Sequence, residues 1–377
     1  MPMSGLGAVI MLGAGGNTPQ ERLVRDAQRA NTRDLLDLLR AQKVERIVLA
    51  APQTDWLSDD RDLIRADDLP NAPFHFGQRL AALIDAYRYD PALYFGGGST
   101  PLLDSTLMET IVGIVQQAAA HGSSNLPDRL ALTNNLYSSD WIGFTRTAHA
   151  LPILADQRRD NSIAWALREN GGYEVRALST LRPATGFDID TPTDLALLAQ
   201  HPDILPNLRA ALNDVRLSSI PIEAVLNILR QDGKTVALIG RVAPAAWSAL
   251  NRVCRVWTRV FAEERGMVAS EREARGEVRS MLLPMLETLG IEGFFARLAE
   301  MADAVLFDTR VLFAARGIAP SAADRYASDL LWHWAIEDDW LRDFTFAAAT
   351  APIPVVLGGH SLVSGGLHAI AEILQRG

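Results

Sequence analysis

Residues 8–12 form an unbroken apolar run that ends in a turn carrying Gly13, Gly15 and Gly16. A helical pattern follows over residues 22–42, apolar at Leu23, Ala27, Leu35, Leu36 and Leu39, and then a second strand run over residues 46–50, apolar after Arg46. A strand, a turn, a helix and a second strand of these lengths join parallel neighbours through a right-handed crossover. Apart from Arg46 at the start of the second, the strand runs are apolar with no polar alternation, so both faces of the sheet must be covered by helices. An α/β domain with a mostly parallel sheet is therefore expected at the start of the chain.

The pattern continues through a helix over residues 77–87, a strand over 92–95, a helix over 105–121 and a strand over 129–133. A helix over 161–170, a strand over 173–178 and a helix over 192–200 complete this part, while residues 55–73 read as acidic and irregular. Punctuation from His201 and Pro202 to Pro206 puts the domain limit there, giving domains 1–203 and 204–377. The second part reads as a helix-rich α/β domain with apolar strands at 235–240, 304–308 and 353–359. Residues 247–261 read as one helical run containing Cys254 as a small core residue.

Several polar stretches follow predicted strands. Glycines after the first strand let a backbone approach phosphates closely, because no Cβ intervenes. Residues 96–98 are three successive glycines leading into Ser99, Thr100, Pro101, Leu102 and Leu103. Asn134 and Asn135 end another strand, with Tyr137 and Trp141 nearby as candidates for stacking on a ring; an Asn-Asn turn with an aromatic plug is the equal alternative. Asp188 and Asp190 are spaced by two, which sends both carboxylates to one side of an extended segment, suited to a divalent cation. Thr191, Pro192 and Asp194 follow as a helix cap.

Together, the glycine turn, the Ser-Thr-Pro-Leu-Leu run and the Asp-Ile-Asp-Thr-Pro-Thr-Asp segment at 188–194 resemble the nucleotidyltransferases of the molybdopterin- and phospholactate-guanylyltransferase type. The resemblance covers the first half of the chain and implies a three-layer, GT-A-like domain. It implies transfer of a nucleotidyl group from an NTP, with GTP as the expected donor, to a phosphorylated small molecule. Carried over by position, Leu12, Gly13, Gly15 and Gly16 would hold the nucleotide, and Arg22 and Arg25 would neutralise the triphosphate. Gly97, Gly98, Ser99, Asn134 and Asn135 would grip the acceptor, and Asp188 and Asp190 would hold Mg2+. The chain departs from the family in two places. The lysine expected after the glycine turn is absent, and residues 96–98 are glycine where a metal-binding Asp is usual. Two other readings therefore stay open: a GT-A-like glycosyltransferase, and a non-catalytic protein that binds a nucleotide or sugar phosphate.

In the second half, residues 356–367 read as a strand, a glycine-rich loop and a helix. Gly359, His360, Ser361 and Ser364 are its candidates for a second anion site. Arg241 and the Asp308, Thr309, Arg310 run end neighbouring strands and could face the same cleft. The seven histidines and the cysteine show no metal-ligand spacing along the sequence.

A net charge of −9 argues against a nucleic-acid partner, which needs a basic footprint. No apolar run reaches the length of a membrane span, and one cysteine allows no internal disulfide, so a cytoplasmic protein is expected. Ligand binding or self-association, as a homo-oligomer, is the default role for the second half.

Overall fold

The structure, a computed structural model, describes residues 5–69, 73–120, 126–178, 186–213, 217–268 and 270–376. Contacts along the chain divide it into two compact units, Met1–Ala14 with Gln28–Gly186, and Gly15–Ala27 with Phe187–Gly377. This division passes through the glycine turn and places Asp188 and Asp190 in the second unit, whereas a limit at 203/204 would leave them in the first.

The first unit carries a seven-stranded sheet. Its strands are β1 (Gly5–Met11), β2 (Ile47–Ala51), β3 (Ile64–Asp67), β4 (Tyr89–Gly96), β5 (Leu130–Thr133), β6 (Trp141–Phe144) and β7 (Glu174–Ala177). Their order is β3-β2-β1-β4-β6-β5-β7. Every pairing is parallel except those that β6 makes with β4 and β5. Helices α1 (Pro19–Ala41), α2 (Phe76–Tyr87), α3 (Ser105–Ala119), α4 (Thr147–Ala155) and α5 (Ile163–Gly171) connect them, with no α-helix between β2 and β3 or between β5 and β6. Val9, Met11, Val48 and Tyr94 share a core with Leu80 and Ile84 of α2, Leu154 of α4 and Leu167 of α5. On the opposite face a Cβ at Gly143 would come within 2.9 Å of Val115 on α3, so that helix lies close over the sheet. Three layers result, as the period-free apolar strands require.

Two elements of this unit escape a reading by pattern. β6 is four residues long and holds Gly143, which lacks the side chain that marks a strand. β3, with the burial alternation of an edge strand, lies inside the stretch read as irregular. The far end of the helix read to His121 lies outside the described residues.

In the second unit, α6 (Pro192–Leu198), α7 (Pro206–Asn213) and α8 (Ile222–Leu229) precede β8 (Thr235–Gly240). Next come α9 (Pro244–Val253), β9 (Trp257–Ala262), α10 (Leu282–Met301), β10 (Ala304–Asp308), α11 (Arg310–Arg316) and α12 (Ala322–Asp329). The chain ends with α13 (Asp339–Ala349), β11 (Val355–Gly358) and α14 (Gly365–Arg376). The four strands are all parallel, in the order β11-β10-β8-β9. From β8 the chain moves one way to β9 and then crosses back to β10, so the winding reverses between β8 and β10. Such a reversal opens a crevice at the strand carboxyl ends, where α/β proteins bind ligands.

The helical run over 247–261 is corrected here. It breaks after Val253, and residues 257–262 form the edge strand β9, whose Trp257 is 71% exposed. An edge strand with one wet face carries the mixed polarity that also suits a helix. Cys254 caps the end of α9, its Sγ 3.2 Å from the Leu250 carbonyl, and burial pushes its thiol up. Among the described residues no helix is long and apolar enough to cross a membrane.

Candidate functional site

The glycine turn is divided between the units. Leu12 and Gly13 belong to the first, where the Leu12 N–H donates to Ala50 O at 2.9 Å. Gly15 and Gly16 belong to the second, with the first turns of α1. There the Thr18 N–H and hydroxyl donate to Glu21 Oε2 at 3.1 and 2.7 Å, a cap that holds the Glu21 carboxyl below its usual range. A Cβ at Gly16 would fall 1.9 Å from the Glu21 carboxylate carbon. The turn thus already contains one carboxylate. Arg25 folds back over it, with NH1 3.3 Å from Gly16 O and 3.2 Å from Asn17 Oδ1, and Nε 3.1 Å from Asp26. Arg22 is exposed and donates to Asn17 O at 3.0 Å.

At the carboxyl edge of the first sheet, backbone and amides close on one another. The Gly97 N–H donates to Met11 O at 2.9 Å, and Asn31, 1% exposed, donates to both Gly97 O and Ser99 O at 2.9 Å. A Cβ at Gly97 would lie 2.4 Å from Leu12, so glycine is needed there for the two turns to meet. Ser99, nearly buried, donates its hydroxyl to Gly96 O at 2.7 Å. Gly98 is half-buried in the same turn. Asn134 pairs twice with Asp140: its amide donates to Oδ2, and its Oδ1 accepts the Asp140 N–H at 3.0 Å. Asn135 Oδ1 accepts the Tyr137 N–H at 3.0 Å. The polar turn is therefore largely bonded within itself. Trp141 is fully buried and stacks on Phe95, so it has no face for a ligand ring; Tyr137, 63% exposed, does.

The 187–194 segment alternates as its spacing predicts. Phe187 and Ile189 are fully buried, Asp188 is half-buried with its Oδ1 covered, and Asp190 is exposed, so the two aspartates share the side of the segment opposite Phe187 and Ile189. Asp194 has a different task. Its Oδ2 accepts from Asp190 N, Thr191 N and Thr191 Oγ1 at 3.0, 2.7 and 2.9 Å, and its Oδ1 from Ser361 Oγ at 2.8 Å. It caps α6, as the sequence implies, and ties that helix to the loop after β11. Complete burial, and then the nearby Asp190 charge, push its carboxyl up to about 7.

Residues 359–364 therefore meet the Asp-Thr-Pro segment directly. A Cβ at Gly359 would approach Thr191 to 3.2 Å, and the Thr193 hydroxyl donates to Leu357 O at 2.6 Å. The hydroxyls assigned to an anion donate inward: Ser361 to Asp194, and Ser364 to His360 O at 2.8 Å.

The crevice between β8 and β10 holds ion pairs that sequence spacing does not reveal. Arg241 binds the fully buried Asp308 through Nε at 2.6 Å, NH2 at 2.9 Å and its own N–H at 3.1 Å. Burial would raise the Asp308 carboxyl, but the Arg241 guanidinium outweighs it and holds the group below its usual range. Arg310 forks onto the buried Asp329 at 3.1 and 2.5 Å.

His201, Asp203 and Glu372 also come together, with ligand atoms within 4.8 Å of one another, although no short spacing announces them. His201 Nδ1 accepts the Asp203 N–H at 3.2 Å, which leaves the proton of a neutral ring on Nε2, 3.1 Å from Glu372. That tautomer presents no lone pair to a metal, and Asp203 is also paired with Arg376.

No family model and no curated protein matches the chain. Among solved structures it is similar to a cytidylyltransferase from Leptospira borgpetersenii serovar Hardjo-bovis, at 16% identity and a TM-score of 0.38 over 56% of this chain and 93% of that one. It is similar to the bifunctional IspDF from Campylobacter jejuni, at 10% identity and 0.32 over 46% of this chain and 49% of that one. It is also similar to HddC from Yersinia pseudotuberculosis, at 13% identity and 0.29 over 46% of this chain and 89% of that one.

Proposed function

We propose that this protein binds an NTP and transfers its nucleotidyl group to a phosphorylated small molecule. The observation that carries the reading is the shared side of Asp188 and Asp190, with Phe187 and Ile189 buried behind them, in the same compact unit as Gly15, Gly16, Arg22 and Arg25. Two hard carboxylate oxygens on one face fit Mg2+, and Asp194 is excluded as a third ligand by its cap. When bound, Mg2+ would offset charge on the triphosphate.

In the proposed transfer, an oxygen of the acceptor phosphate attacks the α-phosphorus in line, and the bond to the β-phosphate oxygen breaks to release pyrophosphate. Such chemistry depends on positioning and charge neutralisation. Arg22 can turn towards the polyphosphate, since among the described residues its side chain bonds only the loop carbonyl of Asn17. GTP as donor extends this reading.

One observation favours a second reading, a non-catalytic nucleotide-binding protein. Glu21 already bonds the Thr18 N–H, and residues 96–98 offer no carboxylate. Incubation with each NTP, Mg2+ and a panel of sugar and alcohol phosphates decides between them. Release of pyrophosphate supports transfer, and NTP binding without it supports the second reading. The Asp188→Ala/Asp190→Ala double variant should lose the Mg2+-dependent part of NTP binding while its melting temperature without ligand holds. Unchanged Mg2+ dependence would reduce the pair to a helix lead-in.

A further inference from the structure

The lysine missing after the glycine turn has a counterpart on another element of the same unit. Gln20, 6% exposed in the first turn of α1, donates through Nε2 to the Ala323 carbonyl of α12 at 3.2 Å. The turn with Gly15 and Gly16 is thereby fastened to the start of α12. One helical turn further on, Tyr326 lies in the field of Asp190, and α6 packs against α12. Two motifs separated by some 170 residues of sequence thus flank a single helical turn, residues 323–326.

Arg325 sits in that turn, half-buried. Its NH1 donates to the Pro320 carbonyl at 2.6 Å, and it makes no ion pair among the described residues. The two other arginines of this region differ: Arg241 and Arg310 are each forked onto a buried aspartate. Burial, and after it the positive field of Arg310, push the Arg325 guanidinium below its usual range. An anion placed beside it would relieve both. Lysine at a turn and arginine on a facing helix do the same work for a polyphosphate, with arginine adding a planar pair of donors.

We propose that Arg325 supplies a further cation for the polyphosphate tail, beside Arg22 and in place of the lysine absent after the glycine turn, so that the tail lies between the start of α1 and α12, beside Asp190. The ligand class is a nucleoside triphosphate or a free inorganic polyphosphate. The inference rests on the NTP-binding reading above and adds a binding residue to it.

Calorimetric titration of the full chain tests it, with Mg2+-tripolyphosphate, Mg2+-GTP, Mg2+-CTP and guanosine as probes. Arg325→Ala should weaken tripolyphosphate and the preferred NTP by about 10- to 100-fold, the worth of one charge-assisted contact. Guanosine, which has no tail, should bind equally to both proteins. Arg325→Lys should recover part of the loss, because it keeps the charge and loses the fork. The melting temperature without ligand reports a merely structural role; should the Ala variant unfold, Arg325→Gln replaces it with the same readouts. If tripolyphosphate binds and the NTP does not, the tail contact stands and the nucleotide reading falls. If the NTP binds Arg325→Ala as tightly as the parent, Arg325 is overturned and the NTP reading survives. Absence of binding by every probe in the parent protein overturns both.

Discussion

Gly97 and Asp308 stand at the carboxyl ends of parallel strands, β4 in one unit and β10 in the other, and they are held in opposite ways. Around Gly97 the edge is closed by neutral groups: backbone N–H and C=O, one buried asparagine and a serine hydroxyl. Around Asp308 it is closed by charges, with two guanidiniums forked onto two fully buried carboxylates. The neutral edge costs little to desolvate and places the backbone sharply. The charged edge is costly to desolvate and holds only while both partners remain, since removing one strands the other in low dielectric.

The sharpest way to break this contrast is Asp329→Ala. It leaves Arg310 buried without its partner and should cost about 3–5 kcal/mol in urea unfolding. Arg310→Met combined with Asp329→Leu should recover most of that. A cost below about 1 kcal/mol would rank the pair with exposed ion pairs and end the contrast.

Asp194 gives a pH signature. Its carboxyl, pushed up to about 7 in the folded protein by burial and by Asp190, binds its proton more tightly folded than unfolded. Stability should therefore fall as pH rises from about 4 to about 7, by a few kcal/mol at most. Asp194→Asn keeps an acceptor for Thr191 and cannot ionise, so its stability curve should lack that fall. Parallel curves for the two proteins over this range would show that the four donors to Asp194 offset burial.

Gly240→Ala probes the close approach in the charged edge. Its φ is +105°, and a Cβ would meet the Asp308 Cβ and carbonyl at 2.6 Å. A loss of about 2–3 kcal/mol is expected by thermal unfolding. Gly13→Ala, with nothing within 4 Å of the added carbon, should stay within about 1 kcal/mol. Equal losses would show that the Gly240 approach relaxes easily.

A smaller loss than in the charged edge is expected in the neutral edge. Asn31→Ala removes the donors to Gly97 O and Ser99 O and should cost about 1–2 kcal/mol. A loss as large as that of Asp329→Ala would make the two edges alike.

The sequence by itself determined the α/β class, because unbroken apolar strands alternating with amphipathic helices have one way to bury both faces. It also determined the facing of Asp188 and Asp190 and the cap at Asp194, since strand alternation and helix starts are set within a few residues. It did not determine β6, β9 or β3, which are short or half-wet and are recognised by the strands they pair with. Only the tertiary structure joined Arg241 to Asp308 and Ser361 to Asp194, pairs 67 and 167 residues apart. Only it brought the start of α1 and Asp190 to the helix that carries Arg325. Local spacing fixes which way a side chain points, but its partner depends on how distant strands order themselves in a sheet, and no short-range pattern encodes that order.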